Sequence, residues 1–367
     1  IYNSGIIGDI TGDFIGNYSS DSVGGAIFND YDSSIGNIIG DFIGNHSKAY
    51  GGAINNSGRT AIGNITGDFI GNYASYDVGS ANGGAIDNIG TIGNITGDFI
   101  GNYTLGSYSV QGGAIYNSGT IGDITGNFLS NYVQYLSKYS KLTLGGAVYS
   151  NANLSFTAKG KQRFFSGNYT NDQTRGKNYN ALFVQSVTDL ASAPVIAFDT
   201  TGGGAWVVND SIEGGYASST DVTYAGRYYN LAFTGDGVLN EDGLTDQYIS
   251  INNDIINAGE VTVEGTTLRF GAYQHEDKTA KNWDGHGRFL AALKADGTAD
   301  LDAEAVTSLS LNNAAFDLYN KYQDMVNLKG WKASGDSFLH VDVDVENLTA
   351  DLLNVNGNVE GQTKLVV

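Results

Sequence analysis

The chain has 367 residues and a formal net charge of −20, an acidic balance that works against nucleic acid and anionic membrane surfaces as partners. Its 52 glycines, single proline and lack of any cysteine exclude a disulfide framework and a thiolate metal site. The same composition suits short strands joined by tight turns, and no run of about 18 apolar residues occurs from which a membrane-spanning helix could be built.

From residue 1 to about residue 168 two motifs alternate. Phe-x-x-Asn stands at Phe14/Asn17, Phe42/Asn45, Phe69/Asn72, Phe99/Asn102, Phe128/Asn131 and Phe165/Asn168. Gly-Gly-Ala-Ile/Val starts at Gly24, Gly51, Gly83, Gly112 and Gly145. A unit of 27 to 37 residues repeated in this way is the signature of a solenoid. Three short strands are predicted per unit: Gly-Gly-Ala-Ile-x-Asn, Ile-Gly-Asn/Asp-Ile and Gly-Asp-Phe-Ile-Gly-Asn. Strands this short bury no face alone, whereas parallel stacking of successive units gives them a common core. The expected fold is therefore all-β, a right-handed parallel β-helix with one unit per turn and rungs about 4.8 Å apart.

Equivalent residues then pile into columns along the axis. Ile27, Ile54, Ile86, Ile115 and Val148 make one; Ile10, Ile38, Ile65, Ile95 and Ile124 a second; Phe14, Phe42, Phe69, Phe99 and Phe128 a third. Phe and the following Ile cannot both face inward on a straight strand, and Ser166 takes the Ile position in the last unit, so the core side is assigned to Phe. The corner asparagines, with a second set at Asn29, Asn56, Asn88 and Asn117, are expected to bond along their own columns, since a carboxamide both donates and accepts. This ladder role explains Asn17 and Asn102 better than the glycosylation sequons in which they formally stand. Asp13, Asp41, Asp68 and Asp98 form a like-charged column, expected to cap turn N–H groups, with calcium neutralisation as the alternative.

The segments between each corner Asn and the next Gly-Gly vary from six residues (18–23) to five (46–50), ten (73–82), nine (103–111) and thirteen (132–144). All leave from one corner and line one edge of the rod. Their Tyr, Ser and Gly content is that of binding loops, which makes Tyr73, Tyr76, Tyr103, Tyr108, Tyr132, Tyr135 and Tyr139 the candidate ligand contacts. The bland alternative is that they are solvated insertions tolerated at a solenoid corner.

The alternation of Gly-Gly-Ala-Ile and Phe-x-x-Asn over residues 1 to about 168 resembles the polymorphic membrane protein repeats of bacterial autotransporter adhesins. The resemblance implies a passenger segment held at the cell surface or secreted, with adhesion to a host-cell or bacterial surface protein or glycan as its role. It also implies a C-terminal outer-membrane β-barrel in the full-length chain, with no direct membrane insertion of this part. The absence of cysteine suits such an export route. Residue 1 falls in mid-repeat and Lys364–Val367 is strand-like, so the chain reads as a fragment of something larger.

Residues 169–367 read as degenerate rungs and a C-terminal stem continuous with residues 1–168: Ala181–Val184, Pro194–Phe198, Ala205–Asp210, Ile249–Tyr273 and Phe338–Val367. Arg288–Lys294 is expected to form a helical turn or two, and Val341, Val343 and Val345 to face inward, opposite Asp342 and Asp344. No catalytic, cofactor or metal constellation stands out. The four histidines have no ligand spacing, Gly335-Asp336-Ser337 lacks the glycine that shapes an oxyanion loop, and Gly202–Gly204 lacks the lysine of a phosphate loop. The expected function is non-enzymatic adhesion. A polysaccharide-active β-helix with its acids in the irregular 200 to 300 region, or a purely structural stalk, are the alternatives.

Overall fold

The computed structural model describes residues 1–136, 142–218 and 221–367. Each repeat turns through short extended segments, and every segment pairs in parallel with its equivalent one unit away. The Gly-Gly-Ala-Ile segments Ile27–Asn29, Ile54–Asn56, Ile86–Asn88, Ile115–Asn117 and Val148–Ser150 form one ladder. Two further ladders, one through Ile38–Ile39 and one through Phe42–Ile43, carry 12 strands each and run from the first repeat to Val359–Gly361 and Lys364–Val366. The molecule is a parallel β-helix, and its main hydrophobic core is continuous from Ala26 to Ala333.

Phe42, Phe69, Phe99 and Phe128 are fully buried, stacked face to face with centroids 4.7–4.8 Å apart, which is the rung spacing itself. Ile15, next to Phe14, is 64% exposed, so the inward assignment of Phe holds. The Gly-Gly pair has a separate reason at each position. Gly51 sits at φ +61°, and a Cβ on Gly52 would lie 2.0 Å from the Gly84 carbonyl of the next rung, so neither tolerates a side chain.

Three strands per unit proves too few. The segment predicted as Ile-Gly-Asn/Asp-Ile breaks at its glycine into two strands, and Ile35, Ile62 and Ile92 form their own five-stranded ladder beside the column of Ile38, Ile65 and Ile95. The bend lets both isoleucines of each unit face inward and be buried. A further strand follows each corner Asn, from Tyr18–Ser19 and His46–Ser47 to Tyr169–Asp172.

Strands form at the degenerate rungs that the sequence places at 181–184, 194–198 and 205–210, as Gly176–Gln185, Val195–Asp199 and Ala205–Val208. Pro194 precedes its strand and so forfeits no ladder donor within it. Two expectations fail. Arg288–Leu290 is a strand paired with Asp254–Ile256, because Phe289 and Leu290 complete the core there. Val343 and Val345 are exposed, because Val343–Asp344 curls into a hairpin with Thr349–Ala350 instead of continuing a rung. No helix among the described residues is long and apolar enough to cross a membrane.

Candidate functional site

The corner asparagines are consumed by structure. Nδ2 of Asn45, Asn72, Asn102 and Asn131 donates to Oδ1 of the next Asn at 2.9–3.0 Å and to the Phe carbonyl of the preceding rung at 2.8–2.9 Å. The second set bonds likewise from Asn29 through Asn56 and Asn88 to Asn117. The aspartate column behaves as turn caps: Asp13, Asp41 and Asp68 each accept the backbone N–H of the next Asp at 2.8–2.9 Å, and Asp98 accepts that of Asn127. No group of three or more acidic, histidine or cysteine side chains among the described residues is arranged to hold a metal ion.

What the repeat leaves free is the edge that follows each corner Asn. Tyr18, His46, Tyr73, Tyr103, Tyr132 and Tyr169 stack into one aromatic column with centroids 4.3–5.0 Å apart, closed by Lys177 Nζ at 4.0 Å over the Tyr169 ring. Stacking hides the ring faces and leaves edges and hydroxyls outward. Tyr73, Tyr103 and Tyr132 are thus brought together at the root of the edge. Burial, with neighbouring tyrosines adding to it, pushes the Tyr103 phenol up to about 12, so this phenol is uncharged across the physiological range.

Beyond this root the three long segments form a two-layered fin. Outgoing strands Tyr73–Tyr76, Tyr103–Gly106 and Tyr132–Tyr135 pair in register, as do the returning strands Ala81–Asn82, Ser109–Gln111 and Leu142–Leu144. Ala74, Ala81, Val110 and Val133 are buried between the layers in a core of their own, with Tyr76 packed against it. Tyr76 and Tyr135 align across Gly106 in the ladder, while Tyr108 lies at a crest. Val78, Tyr108 and Leu136, one from each successive segment, stand 71%, 56% and 41% exposed along that crest. Tyr139 lies outside the described residues. The segments are therefore ladder-bearing, and not the solvated insertions of the bland alternative. The small residue at the second position of each outgoing strand, Ala74, Thr104 and Val133, all buried, was the sequence signal for this.

The ladder ends at a polar break that the sequence did not disclose. Asn168, the last of the column, gives its backbone N–H and Nδ2 to Asp210 Oδ2 at 2.9 and 2.7 Å, and Gly167 N–H goes to Oδ1. A carboxylate accepts without needing to donate, so it closes a column of carboxamides. Above it His275, carried on the hairpin Ala272–Gln274/Asp284–His286, stacks on Tyr179 and bonds through Nε2 to the Asn209 carbonyl at 3.0 Å. Burial drives both groups toward neutrality, raising the Asp210 carboxyl to about 7 and lowering the His275 imidazole to about 4. Beside them buried Arg175 joins Asp172 (3.1 Å), Glu213 (2.8 Å) and the Thr143 carbonyl (3.1 Å), tying the fin to the helix. Burial disfavours the Arg175 charge, and Glu213, Tyr224 and Asp172 outweigh it.

An open cavity of about 320 Å³ lies nearer the C-terminus, lined by His286, Arg288, Leu301, Tyr322, Asp324 and Met325 among others. Burial, with Asp351 and Asp342 adding to it against the Asn320 hydrogen bond, raises the Asp324 carboxyl to about 6. Comparison with family models, curated proteins and solved structures found no match to this chain.

Proposed function

We propose that this chain is a surface-displayed binding solenoid, an autotransporter-type passenger segment without catalytic activity, that adheres to a protein or glycan on a host or neighbouring cell through the crest of its fin. The observation that supports this reading is the crest itself: Val78, Tyr108 and Leu136 are held in water, one on each successive segment of a two-layered extension with its own small core. A stalk needs no such extension, since its rungs close without one at 46–50, and ordering the extra residues costs about 1–2 kcal/mol each in backbone entropy. Exposed apolar rows rimmed by polar residues mark interaction surfaces. On this reading the barrel that would anchor the passenger belongs to the rest of the full-length chain.

The test is binding of the purified chain to host epithelial cells and to a glycan array, with the triple variant Val78→Ser, Tyr108→Ser, Leu136→Ser as comparison. These positions are exposed, so the melting temperature should hold while binding falls at least about tenfold. Undiminished binding by the triple variant overturns the crest as the contact.

The cavity around Asp324 favours a second reading, turnover of a polysaccharide with a carboxyl whose raised pKa suits a general acid. Cleavage of any member of a glycan panel that Asp324→Asn abolishes would establish it in place of the first.

A further inference from the structure

Between the outward face of the Gly-Gly-Ala-Ile ladder and the returning side of the fin two columns confront each other. One holds Phe28, Asn55, Asp87, Tyr116 and Tyr149, paired in register from rung to rung. The other holds Val23, Tyr50, Asn82, Gln111 and Leu144, each just before its Gly-Gly and likewise paired. That they face each other is seen at the next rungs, where Leu144 packs with Tyr149 and Phe183, and where Gln111 and Tyr50 lie close enough to shift the Tyr149 and Tyr116 phenols. Toward the C-terminus the layer is apolar. In the middle it turns polar, at Tyr50, Asn55, Asn82 and Asp87.

Three oxygens in this stretch are buried and have no hydrogen-bond partner: Asn55 Oδ1, Asn82 Oδ1 and Asp87 Oδ1. Asp87 is 2% and Asn55 4% exposed. No basic side chain among the described residues pairs with Asp87, and burial alone raises its carboxyl to about 8. Buried charges are paired or coordinate a metal, because an isolated one is strongly disfavoured. Protonation of Asp87 cannot resolve the stretch: one added proton supplies one donor, while three acceptors wait. A species that attracts several oxygens at once satisfies all three.

We propose that Asp87, Asn55 and Asn82 form a site for a hard, oxygen-seeking cation of the calcium class, clamped between the ladder and the root of the fin. The donor set is one carboxylate and two carboxamide oxygens, with the hydroxyls of Tyr50 and Tyr116 in the same layer, which is the chemistry such cations select over nitrogen or sulfur ligands. Bound there, the cation neutralises the one uncompensated carboxylate of the layer and fastens the fin to the body. The site is separate from the solvent-facing column of Asp13, Asp41, Asp68 and Asp98, whose carboxylates are occupied by backbone N–H groups.

The probe is calcium itself, added to the full chain above pH 8 after treatment with a chelator, with thermal unfolding as one readout. Terbium luminescence sensitised by the adjacent tyrosines is the second. Calcium should raise the melting temperature of the wild-type chain and displace terbium from it. Asp87→Asn, which keeps size and removes the charge, should fold as well as the chelated wild type yet lose both responses, with affinity down at least about tenfold, or about 1.4 kcal/mol. Asn55→Asp should tighten binding by adding a second carboxylate. An unchanged calcium response in Asp87→Asn overturns the site, as does a wild-type chain that neither gains stability with calcium nor sensitises terbium.

Discussion

Replacing Asn102 by alanine tests how far the polar ladder, as opposed to the apolar core, holds the rungs together. Asn102 is fully buried. Its Nδ2 donates to the Phe69 carbonyl at 2.8 Å and to Asn131 Oδ1 at 3.0 Å, and its Oδ1 accepts the backbone N–H and the Nδ2 of Asn72, both at 3.0 Å. Truncation leaves two groups without partners, the Asn72 N–H and one hydrogen of Asn72 Nδ2, while the Phe69 carbonyl loses one of its donors and keeps the ladder bond of the Phe69–Phe99 pairing. Asn131 Oδ1 still receives the Asn102 backbone N–H. At about 1–3 kcal/mol for each stranded group, and with a carboxamide-sized void able to admit one water, the loss should be about 3–5 kcal/mol. Asn102→Asp sharpens the test. It keeps the acceptor for Asn72 but turns lone pairs toward the Phe69 carbonyl and Asn131 Oδ1, so its folded-state pKa lies above the unfolded value. Its stability should therefore be greatest at low pH and fall as pH rises through that pKa. Urea unfolding followed by circular dichroism measures both variants. A loss below about 1 kcal/mol for Asn102→Ala, or an aspartate variant as stable as wild type at neutral pH, would refute the ladder as a stabilising element.

Two other substitutions probe the core and the polar break. Phe99→Ala, which opens a void between Phe69 and Phe128 stacked at 4.8 and 4.7 Å, should cost about 3–5 kcal/mol, against under about 0.5 kcal/mol for Ile15→Ala on the exposed side; thermal melts of the pair check the inward assignment. His275 is held neutral, with its imidazole lowered to about 4, so its contribution is intact above the unfolded value of about 6.5 and is lost as pH falls toward 4. The raised carboxyl of Asp210 works in the opposite sense, its contribution growing as pH falls below about 7. His275 Nε2 lies 3.4 Å from Asp210 Oδ1, so the difference between wild type and His275→Gln reports the histidine together with its effect on Asp210. It should favour wild type less at pH 5 than at pH 7, by about 1–2 kcal/mol in urea titrations, and a pH-independent difference would remove His275 from the linkage.

The regular half of the fold was legible because its constraints recur. A column of identical Phe, Ile or Asn side chains can be read from spacing alone, since each copy must solve the same packing and hydrogen-bonding problem. The split of each middle strand was not legible, because the bend at Gly36 and Gly63 depends on how two isoleucines share one core, a property of the closed turn and not of the local alternation. Arg288–Leu290 was misread as helix for a related reason. A strand of three residues has no period, and only its pairing with Asp254–Ile256 defines it. The break at Asp210, Arg175 and His275 joins residues up to 100 positions apart, as Lys177 and Asp277 do, through side chains that occur once. Uniqueness removes the repetition that made the rest readable. The candidate tyrosines were found by composition, whereas the crest formed by Val78, Tyr108 and Leu136 needed the register of the fin.

That register also decides how independent the fin is. Val110 is fully buried among Ala74, Ala81 and Val133, and this cluster does not merge with the core of the helix. Two valines and two alanines supply only about 1.5–3 kcal/mol for each valine and less for each alanine, so an unpaired carboxylate placed among them by Val110→Asp costs more than the cluster can hold. The first two segments of the fin should then lose hydrogen-exchange protection at 74–82 and 103–111, while the Phe column keeps its own and the main thermal transition barely moves. The third segment should lose less. Leu142 and Leu144 pack with Tyr149 and Phe183 on the body, and Arg175 binds the Thr143 carbonyl, so trimming 132–144 back to a short corner would strip contacts from the helix as well. A graded loss, steep over the first two segments and shallow at 142–144, is the signature of a fin fastened at its C-terminal side and free at its crest. If the Val110→Asp chain instead unfolds in a single transition at a lower temperature, fin and helix are one cooperative unit and the crest cannot move without the rungs beneath it.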